Sequence, residues 1–319
     1  MATIRIPDDV PSPAQDCETL KNAFRGWGTD EKAIIKVLGQ RNASQRRKIR
    51  ETYREIYDKD LIEELFSELS GDFLKAVILW TYDPAERDAR LANEALKVKK
   101  KGIKHLKTIV ETACTTSPNH LIAVRQAYCS VFESSLEEDI AASLPPPLAK
   151  ILLGLVSSYR YDKEKVDAEV ADTEVAMLHE AIENKRLDHD HVMHILGTRN
   201  FYQLRTTFDV YKQKFGNTID KDIDGCLGDA DLKTLLQMAV LCIECPEKHF
   251  AKVVRESIEG FGTDEDSLTR AIVTRAEVDM MKVRGEYFNM YNTSMDNEVI
   301  GDTSGDYKDF LMTLLGSKI

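Results

Sequence analysis

The sequence predicts an all-α protein made of four copies of one helical unit. Three observations carry that prediction. First, the short stretches 37–41, 113–116, 195–199 and 272–275 resemble one another, and their last residues (Arg41, Thr116, Arg199, Arg275) lie 75, 83 and 76 residues apart. Second, each of these anchors is followed at the same distances by matching residues. Twelve on come Tyr53, Tyr128, Tyr211 and Tyr287; sixteen on come Tyr57, Phe132, Phe215 and Tyr291. Twenty on come Leu61, Leu136, Ile219 and Met295; twenty-four on come Leu65, Ile140, Ile223 and Val299. Steps of four mark one face of a helix, so these columns read as core. Third, no segment alternates apolar and polar residues as a half-buried strand does.

Within the first unit the pattern predicts helices near residues 17–24, 31–38, 43–57, 59–69 and 72–80, about five per unit. The units are placed at 11–82, 83–154, 166–238 and 242–313. The wider spacing of 83 falls between units two and three, where segment 157–172 is rich in charge (Asp162, Lys163, Glu164, Lys165, Asp167, Glu169). It reads as a connector joining two pairs of repeats. A single repeat of this kind rarely buries its own apolar face, so the four are expected to pack together.

Composition narrows the function. Of 319 residues, 43% are hydrophobic and 30% charged, which suits a globular chain. The net charge of −11 argues against duplex nucleic acid as a partner and against simple polybasic adhesion to anionic membranes. The first ten residues hold no apolar run of signal-peptide length, and no window reaches the roughly 18 apolar residues of a membrane span. Six cysteines are too sparse for a disulfide framework, so reduced thiols and an intracellular protein are expected. Cys242 and Cys245 form the one Cys-x-x-Cys pair, which lacks a second pair for zinc.

Chemistry concentrates in two glycine loops, Gly26-Trp27-Gly28-Thr29 and Gly260-Phe261-Gly262-Thr263. Each lies between the first and second helices of its unit. Glycines permit backbone angles that turn carbonyl oxygens inward around a cation. The threonine is expected to cap the next helix, with Asp30 and Glu31, or Asp264 and Glu265, suiting its positive end. Thirty-nine residues beyond each threonine stands an acid, Glu68 and Asp302, in related settings (Glu68-Leu-Ser-Gly-Asp72 and Asp302-Thr-Ser-Gly-Asp306). Carbonyls, one bidentate carboxylate and water form an all-oxygen shell that suits Ca2+.

With the four repeats, the two paired loops and the central connector, the chain resembles the annexins over essentially its whole length. The Gly-Trp-Gly-Thr loop, Cys114, Cys242 and residues 274–279 are similar to the plant branch. The resemblance implies a slightly curved disc that docks on anionic phospholipid through bound calcium. It implies carbonyl ligands from Phe24, Gly26 and Gly28 with the Glu68 carboxylate in repeat one, and from Ile258, Gly260 and Gly262 with Asp302 in repeat four. Trp27 is expected to enter the lipid interface; Phe261 either does the same or packs back on its repeat. Glu259 departs from the lysine the family often places there. The implied protein is a cytoplasmic monomer that goes to the plasma membrane or endomembranes when calcium rises, with self-association on the membrane.

The other repeats depart from the pattern. The positions matching Glu68 and Asp302 hold Ser143 and Cys226, and neither unit has the glycine loop. Asp139, Asp222, Asp224 and Asp229 are the remaining acids that a weak ion could use. Two calcium sites are therefore expected. Asp188-His-Asp-His-Val-Met-His194 invites a transition-metal reading but lacks a completing ligand. The resemblance to the plant branch also implies a peroxidase-linked or nucleotide-hydrolysing alternative, with Cys114 and Cys242 as redox candidates; a separate alternative is an actin-binding stress-response scaffold or an ion-conducting membrane assembly. Gln40 stands where that branch often has histidine, and no phosphate-binding loop is present, so a non-enzyme is expected.

Overall fold

The computed structural model describes residues 1–317 apart from residues 27, 99–101 and 261. Among the described residues there are twenty α-helices and no strand. Repeat one comprises α1 (Pro13–Ala23), α2 (Glu31–Leu38), α3 (Ala43–Tyr57), α4 (Leu61–Glu68) and α5 (Gly71–Thr81). Repeat two comprises α6 (Pro84–Lys97), α7 (Ile103–Thr115), α8 (Pro118–Phe132), α9 (Leu136–Ser143) and α10 (Pro146–Val156). Repeat three comprises α11 (Ala168–Glu183), α12 (Asp190–Thr198), α13 (Phe201–Phe215), α14 (Ile219–Gly225) and α15 (Ala230–Glu244). Repeat four comprises α16 (Pro246–Ile258), α17 (Glu265–Arg275), α18 (Met280–Tyr291), α19 (Met295–Asp302) and α20 (Gly305–Leu314).

The columns span two helices, as the predicted segments 43–57 and 59–69 imply. Tyr53 and Tyr57 sit on α3, whereas Leu61 and Leu65 sit on α4. The turn between them passes through a left-handed residue in every repeat: Asp58, Glu133, Gly216 and Asn292, with φ between +52° and +80°. Asp60 then caps α4 by accepting the Ile62 N–H at 2.8 Å, which starts that helix two residues later than expected. The first aromatic column is fully buried, while Phe215 in the second is 37% exposed and lies at the rim of the core. Ring centroids of the two columns are 4.8–5.0 Å apart in all four repeats.

A buried tyrosine hydroxyl needs an acceptor, and each repeat supplies one eleven residues on. Tyr53 donates to Glu64, Tyr128 to Asp139, Tyr211 to Asp222 and Tyr287 to Glu298. A cationic or imidazole side chain of the first helix lies on the aromatic pair: Lys21, Lys97, His179 or Arg255. Arginines at the end of the second helix hold it to the first. Arg41 makes a two-pronged ion pair with Asp16 at 2.8 Å, and Arg199 reaches Glu174 at the same sequence spacing. In repeat four Phe250 occupies the acid's place, so Arg275 stacks on that ring and pairs with Asp279.

The helices form two compact units, and these do not follow chain order. One unit is residues 1–87 with 247–319, pairing repeats one and four; the other is 88–246, pairing repeats two and three. The expectation that segment 157–172 joins two pairs consecutive in sequence is thereby corrected. The segment lies wholly inside the second unit, and α11 begins within it at Ala168. Arg160, 6% exposed, anchors it by donating to the carbonyls of Leu196 and Arg199 and stacking on Phe201. In the first unit α5 packs on α17 and α20, and Phe73 meets Phe310 edge to face at 6.0 Å. In the second, Gly197 on α12 lies so close to α10 that a Cβ would stand 2.9 Å from the Gly154 carbonyl oxygen.

Two stability predictions follow from these contacts. Replacing Asp16 with Asn leaves the Arg41 guanidinium buried without its counter-charge, and denaturant titration should show a loss of about 3–5 kcal/mol. Burial alone would raise the Glu64 carboxyl, but hydrogen bonds from Lys21, Lys59 and Tyr53 bring it down from an ordinary 4.5 to about 2. Its stabilising contribution is therefore present above pH 4.5 and lost as pH falls toward 2. Glu64→Gln should flatten that part of the stability–pH curve relative to the wild type.

Candidate metal centres in repeats one and four

The two glycine loops adopt the backbone that only glycine takes readily. Gly26 and Gly28 have φ of +114° and +92°; Gly260 and Gly262 have +124° and +90°. A Cβ at any of the four would meet open space, so conformation rather than crowding requires glycine. Both loops enter from a helix end, Phe24 capping α1 and Ile258 ending α16. Among the described residues, no hydrogen bond ends on the carbonyls of Phe24, Gly26, Gly28, Ile258, Gly260 or Gly262. Six carbonyl oxygens are thus available to an outside partner.

The acids predicted for these loops are brought to them. Thr29 Oγ1 donates to the Glu68 carbonyl at 3.2 Å and lies 3.4 Å from Oε2 of its carboxylate. Thr263 Oγ1 contacts the Asp302 carbonyl at 3.1 Å and Oδ2 at 2.5 Å. The threonines therefore do not cap the second helix as expected. Asp30 and Asp264 are the caps, accepting the N–H groups of Ala33 and Ser267. The threonine, one residue earlier, is left to tie its loop to the last residue of α4 or α19. Within the first unit an open groove runs between the α4–α5 and α19–α20 turns, lined by Glu31, Glu68 and Asp72 and by Glu265, Asp302 and Asp306.

Repeat three closes the corresponding place. Ile182, which matches Phe24 and Ile258 in the repeat, has its carbonyl taken by the Lys185 N–H at 2.9 Å and by the Cys226 thiol at 3.6 Å. Cys226 is also the residue standing where the others have an acid. Its landing position was readable by counting, but its role as a donor was not, because a thiol gives no motif. The other candidate acids serve the fold: Asp139 and Asp222 accept tyrosine hydroxyls and Asp229 caps α15. Asp224 gives only its carbonyl, to Lys233. Among the described residues, no three His, Cys, Asp or Glu side chains are grouped to hold a metal. The histidine run follows suit, with His189 capping α12 and standing edge-on to His191 at 4.6 Å. Trp27 and Phe261 lie outside the described residues.

The family profile described as Annexin matches residues 15–80, 87–155, 173–238 and 249–314. The chain belongs to the annexin family. It is 74% identical to annexin D3 of Arabidopsis thaliana over the full length of both chains. Among solved structures it resembles annexin III at a TM-score of 0.92 and 31% identity, covering 100% of this chain and 98% of that one. Calcium-bound annexin (Sm)1 matches at a TM-score of 0.83 and 27% identity, over 96% of this chain and 90% of that one. This annexin is of the plant type, and its four repeats are annexin repeats.

The plant-type cysteines of this annexin are poor nucleophiles. Cys114 fills, in repeat two, the column held by Gly39 and Gly197, and it is 2% exposed. Burial pushes its thiol up to about 12, with Arg160 acting in the opposite direction. Cys242 is wholly buried on α15, the helix that packs on α7. Brief iodoacetamide treatment of the native protein at pH 8 should label Cys129, which is exposed, and spare Cys114 and Cys242. Peptide mapping reads this directly; rapid native labelling of Cys114 would contradict the buried, protonated thiol.

Proposed function

We propose that this annexin binds anionic phospholipid membranes reversibly through calcium held by repeats one and four. Annexins are known for calcium-dependent phospholipid binding and are generally non-enzymatic membrane binders. The observation that carries the assignment of sites is the threonine tether: in these two repeats it holds an acidic residue against a loop whose carbonyls have no other partner among the described residues. Calcium takes six to eight oxygens, so an all-oxygen donor set with room for water and lipid fits it. Phe24, Gly26, Gly28 and Glu68 form one set; Ile258, Gly260, Gly262 and Asp302 form the other.

Calcium supplies the positive charge this surface lacks. A net charge of −11 and a groove lined by six carboxylates repel phosphatidylserine-type headgroups. Lipid phosphate or carboxylate oxygens complete the shell of an ion already held by carbonyls and one acid. Attachment is therefore peripheral and reversible by chelation. Among the described residues no helix is long and apolar enough to cross a membrane. The protein is proposed to reside in the cytoplasm and to move to the plasma membrane or endomembranes when calcium rises.

Co-sedimentation with phosphatidylserine/phosphatidylcholine vesicles across a calcium series tests the proposal. Pelleting should appear with calcium and reverse with chelator. Glu68→Gln keeps the shape and removes the charge, and should raise the calcium needed for half-maximal pelleting by about tenfold. Asp302→Asn should act in the same direction, and the double variant should be weaker than either. Thermal unfolding in chelator should be nearly unchanged, since both acids are exposed at helix ends. An unaltered calcium requirement in the double variant would sink the assignment.

A further inference from the structure

Phe66 is 53% exposed and Ile300 is 44% exposed. Single exposed apolar residues are ordinary on protein surfaces, so exposure alone decides nothing. Their position does. Counted from the repeat anchors Arg41 and Arg275, both stand at the same place, and each precedes the acid of its loop by two residues. The matching residues in repeats two and three, which lack the glycine loop, are Ala141 and Asp224. Among the described residues, no other exposed large apolar residue of the first unit recurs in this way: the counterpart of Ile56 is the partly buried Met290, and that of Phe288 is Arg54.

The local geometry puts these side chains at the loop end of their helices. Glu68 and Asp302 are the last residues of α4 and α19, and their carbonyls meet the Thr29 and Thr263 hydroxyls. Two residues of helix rise about 3 Å, so Phe66 and Ile300 belong to the same terminal turn. The core side of α4 is filled by Leu61, Ile62 and Leu65, leaving Phe66 no seat inside. Likewise α19 buries Met295 and Val299 and leaves Ile300 outside. One turn back on the same face stand the polar residues Glu63 and Asn297. Apolar contact is thus confined to the end of each helix that touches the loop.

We infer that Phe66 and Ile300 are lipid anchors that enter the bilayer interface beside the two calcium loops; this rests on the membrane-binding reading above. A bilayer is the occupant that fits. Each side chain stands alone beside a headgroup-binding loop, too small a patch to seat a protein partner but enough to add apolar transfer to ionic attachment. The ion brings headgroup oxygens to the loop, and the anchor then places its side chain among the upper acyl carbons. Calcium would control when the anchors engage, and the anchors would slow departure.

Two measurements test this on the full-length protein with phosphatidylserine/phosphatidylcholine vesicles. In a Trp27→Phe background, Phe66→Trp leaves Trp80 as the other indole, fully buried and hydrogen-bonded to the Leu38 carbonyl. Adding calcium and vesicles should shift the emission of the introduced indole to the blue and let lipids brominated along the upper acyl chain quench it. Separately, Phe66→Ser should weaken vesicle partition about tenfold and Ile300→Ser about threefold at fixed calcium, chiefly through faster release. Both are surface changes, and unfolding in chelator checks that the fold is kept. If the wild type pellets with calcium but the introduced indole stays water-like and unquenched, or Phe66→Ser partitions like the wild type, the anchor inference falls alone. If the wild type itself fails to pellet, both readings fall together.

Discussion

The hydrogen bond from a buried tyrosine to a carboxylate eleven residues later sets the geometry on which each repeat depends. Tyr53 is wholly buried, and its hydroxyl cannot be left without an acceptor. Glu64 provides it from α4, across the left-handed turn at Asp58. That bond fixes where α4 lies relative to α3, and hence where α4 ends. Its last residue is Glu68, which Thr29 ties to the glycine loop. One line of contacts therefore runs from the core to the candidate metal centre. All four repeats keep the tyrosine–carboxylate bond, and among the described residues repeats one and four continue it to a loop. The scaffold is general, and the site is an addition to it.

Pairing of repeats adds a second constraint. Repeats one and four share a core in which α5 meets α17 and α20, although they lie at opposite ends of the chain. Close approach is set by small residues at one column. A Cβ on Gly39 would stand 2.9 Å from a Thr313 methyl carbon on α20, and Gly197 abuts the Gly154 backbone on α10. The two loop-bearing repeats thus fall in one unit, and their carboxylates line one groove. Six acids along one groove give that part of the surface an unfavourable potential for anionic lipid. A multivalent cation bound at either end lowers it for both.

Periodicity made the fold legible, because apolar columns at steps of four survive wherever a face must be buried. The candidate site was legible because Gly-x-Gly-Thr and an acid recur at a fixed distance of 39. What stayed hidden depended on side-chain direction or on long-range contact. The hydroxyl of Thr29 has two local uses, capping or tethering, and only the position of α4 decides between them. The pairing of repeat one with four has no signature in chain order. The side chains over the aromatic pairs were missed since Lys21, Lys97, His179 and Arg255 share neither residue type nor, for Lys97, register. Arg160 was read as part of a charged connector, yet its guanidinium is buried against Phe201.

Repeat three shows how such a site is lost without harm to the scaffold. Its first helix ends through Lys185 at φ +57° instead of through paired glycines, so the chain turns without presenting a row of carbonyls. Of the carbonyls that match ligands, that of Ile182 accepts from the Lys185 N–H at 2.9 Å and from the Cys226 thiol, and that of Arg186 accepts from the His189 N–H at 3.0 Å. A thiol in the acid's place removes the charge, and Cys226 becomes 6% exposed where Glu68 and Asp302 face solvent. The exchange turns an exposed, charged half-site into a small buried contact. Because Tyr211 still donates to Asp222, α14 keeps its place, and the repeat contributes packing to its unit without a binding loop. Core and site thus vary independently, which is how four copies of one unit come to differ in what they can bind.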